Sequence, residues 1–285
     1  MSRIEEALAK AAGMKPVPAV QGARSVPADQ SGASGFVAPG NGNGQVRSPM
    51  PEAVRSSVAR LSEETMVVIN EPLSPAAEEY RKLKEALVKL TRRERFDNLV
   101  VVTSATVGEG KSVTAINLAV SLAGEFDHTV LLIDADLRRP SVHKYLNLDA
   151  HKGLSDCLRE GIDVGELLVK TQIGKLSVLP AGTPVANPVE LFSSETMRRL
   201  FQEMKTRYRD RYIIIDTPPV LPFAETRSIV SIADWALLVV REGQPSLGQI
   251  QETLEALDHK VLGVVYNAAQ SHAGSSYNYY SSYSG

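Results

Sequence analysis

The residues best suited to chemistry are a lysine and a serine set behind two glycines, together with three aspartates that end apolar runs. Residues 100–112 read VVVTSATVGEGKS. An apolar strand pattern runs into a loop ending Gly110-Lys111-Ser112, and a helical pattern follows at once. Gly108 and Gly110 let the backbone turn its N–H groups toward phosphate oxygens with no Cβ in the way. Lys111 brings charge to the β- and γ-phosphates of a nucleotide, and Ser112 offers a hydroxyl to Mg²⁺. The helix N-terminus behind them adds partial positive charge.

Two acidic motifs complement this loop. In LLIDADLRRP (131–140), Asp134 and Asp136 leave the carboxyl end of an apolar run, followed by Arg138 and Arg139. In IIIDTPP (213–219), Asp216 does the same. Taken singly, each acid fits a helix cap or a turn. Together they form a convergent set at the strand ends where open α/β sheets bind ligands. Magnesium keeps several of its waters, and nearby carboxylates hold those waters in place.

The elements that must position these residues are legible as alternating patterns. Apolar runs at Leu99–Thr103, Val130–Asp134, Leu176–Leu179, Ile213–Asp216, Trp235–Val240 and Val261–Asn267 are mostly β-branched and continuous, which predicts buried parallel strands. Helical spacing is expected over Lys111–Ala123, Glu195–Tyr208 and Leu247–Leu257. A further helix begins at Ser74, a capping residue, with Pro75 in its first turn and an apolar stripe through Ala76, Tyr80, Leu83, Leu87 and Leu90. The fold class is α/β, a doubly wound and mostly parallel sheet, spanning residues 72–269. Residues 1–12 read as a short helix, either a fraying end or a docking element. Residues 13–71, rich in Pro, Gly, Ser and Ala, read as a flexible linker. Residues 270–285 contain no Lys, Arg, Asp or Glu and read as a disordered tail. Tyr277, Tyr279, Tyr280 and Tyr283, four of the nine tyrosines, sit in that tail, in a polar setting that leaves them exposed.

Bulk properties remove several alternatives. The formal net charge of -2 over 285 residues gives no electrostatic case for nucleic acid as a partner. A single cysteine, Cys157, allows no intramolecular disulfide, and the five histidines fall at no metal-ligand spacing. No apolar run approaches the ~18 residues needed to span a bilayer, and the acidic N-terminus lacks the apolar core of a secretory signal. A cytoplasmic protein is expected, reaching the inner face of a membrane through a partner.

The three motifs in this order resemble the Walker A, Walker A′ and Walker B motifs of the bacterial tyrosine kinases of capsule and exopolysaccharide synthesis. Ala105 stands where the first motif usually has glycine, the deviant Walker A form of P-loop NTPases. Asn187-Pro-Val-Glu-Leu is similar to a recurring segment of that family, and the first helix plus linker resembles its exosortase-associated autokinases. The resemblance covers roughly Glu71 to the C-terminus. It implies ATP and Mg²⁺ as cofactors, with Gly108, Glu109, Gly110, Lys111, Ser112, Val113 and Asn267 around the nucleotide. Ser112, Asp136 and Asp216 would serve the metal and its waters, and Asp134 would accept the tyrosine proton beside Lys111. Tyr277, Tyr279, Tyr280 and Tyr283 become autophosphorylation sites. The family's Glu-x-x-Arg-x-x-Arg oligomerisation motif is present as Glu78, Arg81 and Lys84, the last lacking arginine's bidentate fork. A membrane-bound polysaccharide co-polymerase as activator, a homo-oligomer and a cognate phosphatase are the implied partners.

Two other functions fit parts of the pattern. A partitioning-type ATPase shares the loop, but such proteins carry an extra lysine near its start, where this chain has Ser104-Ala105-Thr106. A nucleotide-dependent scaffold of polysaccharide assembly would need no transfer chemistry. Phosphotyrosine formed from ATP separates all three.

Overall fold

The computed structural model describes residues 66–92, 96–125, 127–207, 210–258 and 260–269. The expected first helix, most of the linker and the tyrosine tail lie outside these residues.

Long β-branched runs become the middle of one seven-stranded sheet. Its strands are β1 (Leu99–Ser104), β2 (Thr129–Asp134), β3 (Val169–Lys170), β4 (Leu176–Leu179), β5 (Arg211–Asp216), β6 (Trp235–Arg241) and β7 (Val261–Asn267). Their order is β3-β4-β2-β5-β1-β6-β7. All neighbours are parallel except β3, which pairs antiparallel with β4. A two-residue strand has no periodicity to read, and β3 was not expected from the sequence.

Alternation along the strands divides the core into two layers. Val101, Ile133, Ile213 and Ile215 face one side, packed with Phe192, Met197, Phe201 and Ile229. Val100, Val102, Leu132 and Ile214 face the other, packed with Ile116, Leu118, Leu122 and Leu87. Both faces are thus covered, as the continuous apolar runs require. Truncating a fully buried residue such as Ile214 to alanine would cost about 2–5 kcal/mol.

A short helix and a long one open the described region. Val67–Asn70 (α1) is followed by Pro75–Thr91 (α2). The Ser74 hydroxyl accepts a bond from the Ala77 N–H at 3.2 Å, and Pro75 occupies the first turn. Helix α1 lies inside the segment expected to be linker. Met66 is fully buried beside it, and the Val68 N–H donates to Asn117 Oδ1 at 3.3 Å. The apolar group Met66-Val67-Val68-Ile69 has enough surface to pack, so the folded region extends upstream of residue 72.

Parallel pairing brings the chemistry to one edge. Strands β2 and β5 are hydrogen-bonded neighbours in a register that sets Asp134 opposite Asp216. Strand β1, on the other side of β5, ends at Ser104 and delivers the loop that opens helix α3 (Lys111–Ala123).

Candidate active site

The loop between β1 and α3 is built on two left-handed glycines, Gly108 at φ +89° and Gly110 at φ +90°. A Cβ at Gly110 would come within 2.0 Å of Asn267 Nδ2, so space as well as conformation demands glycine there. Three side chains from the ends of β6 and β7 hold the loop's carbonyls. Gln244 Nε2 donates to Val107 O, Arg241 Nη1 to Gly108 O at 3.2 Å, and Asn267 Nδ2 to Glu109 O at 2.9 Å. In planar trans peptides the following N–H groups then point to the opposite side, the orientation a phosphate cradle needs.

Glu109 is itself fully buried. Its carboxylate accepts from the Thr106 N–H and hydroxyl and from the Arg241 N–H. Glu109 and Asn267 were expected to face the nucleotide. Their side chains brace the loop in this structure, and Asn267 Oδ1 is also taken, by the Ala268 N–H at 2.9 Å. Any contact of Glu109 with a nucleotide runs through its backbone. The first intrahelical bond of α3 is Thr114 N–H to Gly110 O, so the N–H groups of Lys111, Ser112 and Val113 precede the helical ladder and can meet an anion.

Lys111 gathers the acids. Its Nζ lies 2.8 Å from Asp136 Oδ2, 3.4 Å from Asp216 Oδ1 and 3.2 Å from Ser112 Oγ. Burial opposes its charge, but Asp216, Asp136 and Asp134 together outweigh that, and its pKa rises. Asp216 is completely buried, and its Oδ2 has no hydrogen-bond partner among the described residues. Burial raises its pKa against the pull of the Lys111 ammonium. An unpartnered carboxylate oxygen of this kind costs free energy unless water or a hydrated cation meets it. The site therefore fits a hydrated Mg²⁺, with Ser112, Asp136 and Asp216 as the residues that would serve it.

Asp134 is tied to its own loop. It accepts N–H bonds from Ser141 and Val142 at 3.0 Å and from Asp136 at 3.2 Å. Burial pushes its carboxyl up to about 7, the Asp216 charge adds to this, and the Val142 and Ser141 N–H bonds oppose it. A folded pKa above the unfolded 3.8 means that the native state binds the extra proton between these values. Stability from this group is accordingly lost as pH rises from about 4 to about 7, by at most about 4 kcal/mol. His128 and His143, whose pKa values burial lowers, act with the opposite sign. The informative quantity is a difference: the melting temperature of the nucleotide-free wild type minus that of Asp134→Asn. It should fall by several degrees between about pH 5 and about pH 8. A difference that grows with pH would contradict the buried, proton-holding state of Asp134.

Arg138, in the same motif, reaches over to the loop that follows Asp216. Its Nε donates to Glu225 Oε1, and its guanidinium lies 4.7 Å from the Phe223 ring centroid. Glu225 opens a helix spanning Glu225–Ile232. The sequence gives no periodic or motif signal for Glu225, Phe223 or Gln244. Arg241 carried one, as the residue just after the apolar run Trp235–Val240, at the ligand-binding edge.

Glu78 and Arg81 lie on α2, apart from the acids. Arg81 Nη1 contacts Glu78 Oε2 at 2.5 Å, and Nη2 donates to Pro72 O. Lys84 pairs with Glu125 at 2.7 Å. Glu78 also lines a groove of about 760 Å³ whose other wall is the end of β7, Val265 to Ala269. The tail tyrosines lie outside the described residues.

Residues 97–262 match the family model described as an AAA domain. Tyrosine-protein kinase YwqD of Bacillus subtilis is 34% identical over 231 residues, covering 80% of this chain and 96% of that protein. The chain belongs to the bacterial tyrosine-protein kinases. The tyrosine-protein kinase ptk of Acinetobacter johnsonii is 31% identical, but its matched part is 30% of a longer protein against 79% of this chain. Among solved structures, the kinase domain of the Escherichia coli tyrosine kinase ETK superposes with a TM-score of 0.67 at 27% identity, over 74% of this chain and 83% of that one. A nucleotide-binding, P-loop tyrosine kinase is thus the enzyme class of this chain, and the edge described above is where its motifs converge.

Proposed function

We propose that the chain transfers the γ-phosphoryl group of ATP to Tyr277, Tyr279, Tyr280 and Tyr283 of a second copy, and thereby regulates exopolysaccharide or capsule synthesis or export. The observation that carries this reading is Lys111 held between Asp136 and Asp216, with Asp216 Oδ2 buried and without a partner among the described residues. Lys111 and the N–H groups of the loop bind the phosphates, and Ser112, Asp136 and Asp216 are the residues that would hold the metal and its waters. Mg²⁺, when bound, would supply positive charge that offsets the charge of the transferring phosphates. The tyrosine Oη forms a bond to the γ-phosphorus, the bond from that phosphorus to the bridging oxygen breaks, ADP leaves, and Asp134 takes the phenolic proton. General-base help is worth roughly 10²–10⁴-fold, so positioning and charge stabilisation supply most of the acceleration.

Described residues include no helix long and apolar enough to cross a membrane. A membrane-bound co-polymerase fits as activator, placing the kinase at the inner face of the plasma membrane, with a cognate phosphatase to reset it. Each phosphate adds about -1.5 to -2 charges, so four would make neighbouring tails repel and loosen an assembly that Glu78 and Arg81 help to hold.

The test mixes a Lys111→Met chain bearing an intact tail with an active chain whose four tail tyrosines are Phe. Phosphotyrosine should appear on the Lys111→Met chain. Its absence, with wild type labelling itself at a rate independent of concentration, would rule out transfer between molecules. No phosphotyrosine from wild type, ATP and Mg²⁺ would remove the autophosphorylation reading altogether.

A further inference from the structure

We infer that Arg138 and Arg139 form a phosphate-reading site that makes an already phosphorylated tail the better substrate. This deepens, and rests on, the tail as phosphoryl acceptor.

Both arginines are exposed and follow directly on Asp136, whose carboxylate accepts the Arg139 N–H at 3.0 Å and contacts Lys111 at 2.8 Å. Arg138 is unusually fixed for an exposed arginine. Its Nε is held by the buried Glu225, and Phe223 stacks against its plane. Those two restraints come from the loop and helix that follow Asp216, so the guanidinium bridges the ends of β2 and β5. Its two Nη groups make no hydrogen bond or ion pair to any described residue, and the Arg139 side chain likewise makes none. A guanidinium pinned by its Nε and one face, with both Nη groups unspent, is already oriented for a two-oxygen acceptor, so little entropy is lost on binding.

The acceptor segment explains what such a fork would meet. Residues 270–285 carry no acidic side chain, so no side chain of the unmodified tail offers these arginines an anion. One phosphate changes that, adding strong acceptor oxygens to a chain in which Tyr277, Tyr279, Tyr280 and Tyr283 lie within seven residues. With one phosphotyrosine on the arginines, a neighbouring tyrosine is retained near Asp136 and Asp134. The first transfer then speeds the later ones, and the cluster fills as a set. The chemistry of each transfer is the one given above. Only the affinity for the acceptor changes.

The experiment uses the full chain with its four tail tyrosines changed to Phe. Its substrates are peptides of residues 270–285 with Tyr280 as the sole acceptor and either phosphotyrosine or Phe at 277. The kcat/KM ratio of primed to unprimed peptide should be about tenfold or more, carried by KM, as for a charge-assisted bond. Arg138→Gln combined with Arg139→Gln should bring the ratio near one, and Arg138→Lys should leave it between. Anisotropy of labelled primed peptide without ATP should show the same order of affinities. A parent ratio of one or less, or a ratio the substitutions do not move, overturns the site. So does a double variant that raises the KM for ATP and slows both peptides equally, because the arginines then serve the nucleotide. If the parent labels neither peptide, the acceptor reading fails, while anisotropy still decides whether the arginines select the phosphorylated tail.

Discussion

Changing Lys111 to methionine should reduce ATP-dependent phosphotyrosine by at least about a thousandfold, since the main charge on the transferring phosphates is removed. The packing of Lys111 adds a second effect. Asp136 and Asp216 lose the ammonium that offsets their burial, at 2.8 and 3.4 Å. Removing one partner of a buried ion group costs about 3–5 kcal/mol, less where the orphaned acids can take up protons instead. The variant should therefore fold, melt lower than wild type at neutral pH, and recover part of the difference as pH falls. Labelling by immunoblot, thermal melts at two pH values and circular dichroism together check this. Persistent labelling of a folded Lys111→Met chain would remove the catalytic role of the loop.

Asp216→Asn should move activity and stability in opposite directions. The carboxylate is wholly buried, burial raises its pKa, and Oδ2 has no partner among the described residues. Asparagine keeps the shape and an oxygen for Lys111 while discarding the desolvated charge. The nucleotide-free variant should accordingly melt no lower than wild type, and by about 1–3 kcal/mol of relieved desolvation it should melt higher. Labelling should fall by roughly 10²–10³-fold, because the hydration shell of the metal loses its anchor, and high Mg²⁺ should restore part of it. A lower melting temperature with labelling largely retained would make Asp216 a structural residue. Opposite signs are the mark of a group kept for function at the expense of stability.

How far the sequence carried can be judged from particular residues. Leu176–Leu179 and Val261–Asn267 were expected as strands with the bounds they have, and Lys111–Ala123 as a helix. Short apolar runs bounded by turn residues and an apolar period of 3.6 are local signals, which is why these elements could be read. The alternation of Val100 and Val101 between two cores was not visible, because a strand buried on both faces shows no alternation in its sequence. The convergence of Lys111, Asp136 and Asp216 was legible because all three leave strands at the same edge. The bracing by Gln244 and Asn267 was not, since these residues stand 137 and 158 positions in sequence from the carbonyls they hold, and no local pattern encodes such a contact. The side chain of Glu109 shows the same limit: a motif specifies that the backbone meets phosphate and leaves the direction of the side chain open.

Asn267 is the last residue of the sheet, and its amide rests under Gly110. Three residues further on the chain becomes the tyrosine-bearing segment. A pull on that segment is shared between the pairing of β7 with β6 and the Asn267 amide. Part of it reaches the 2.9 Å hydrogen bond from Asn267 Nδ2 to Glu109 O in the phosphate loop. In the transfer between molecules proposed above, a chain whose tail is held by a neighbour would therefore carry part of that load on its phosphate loop.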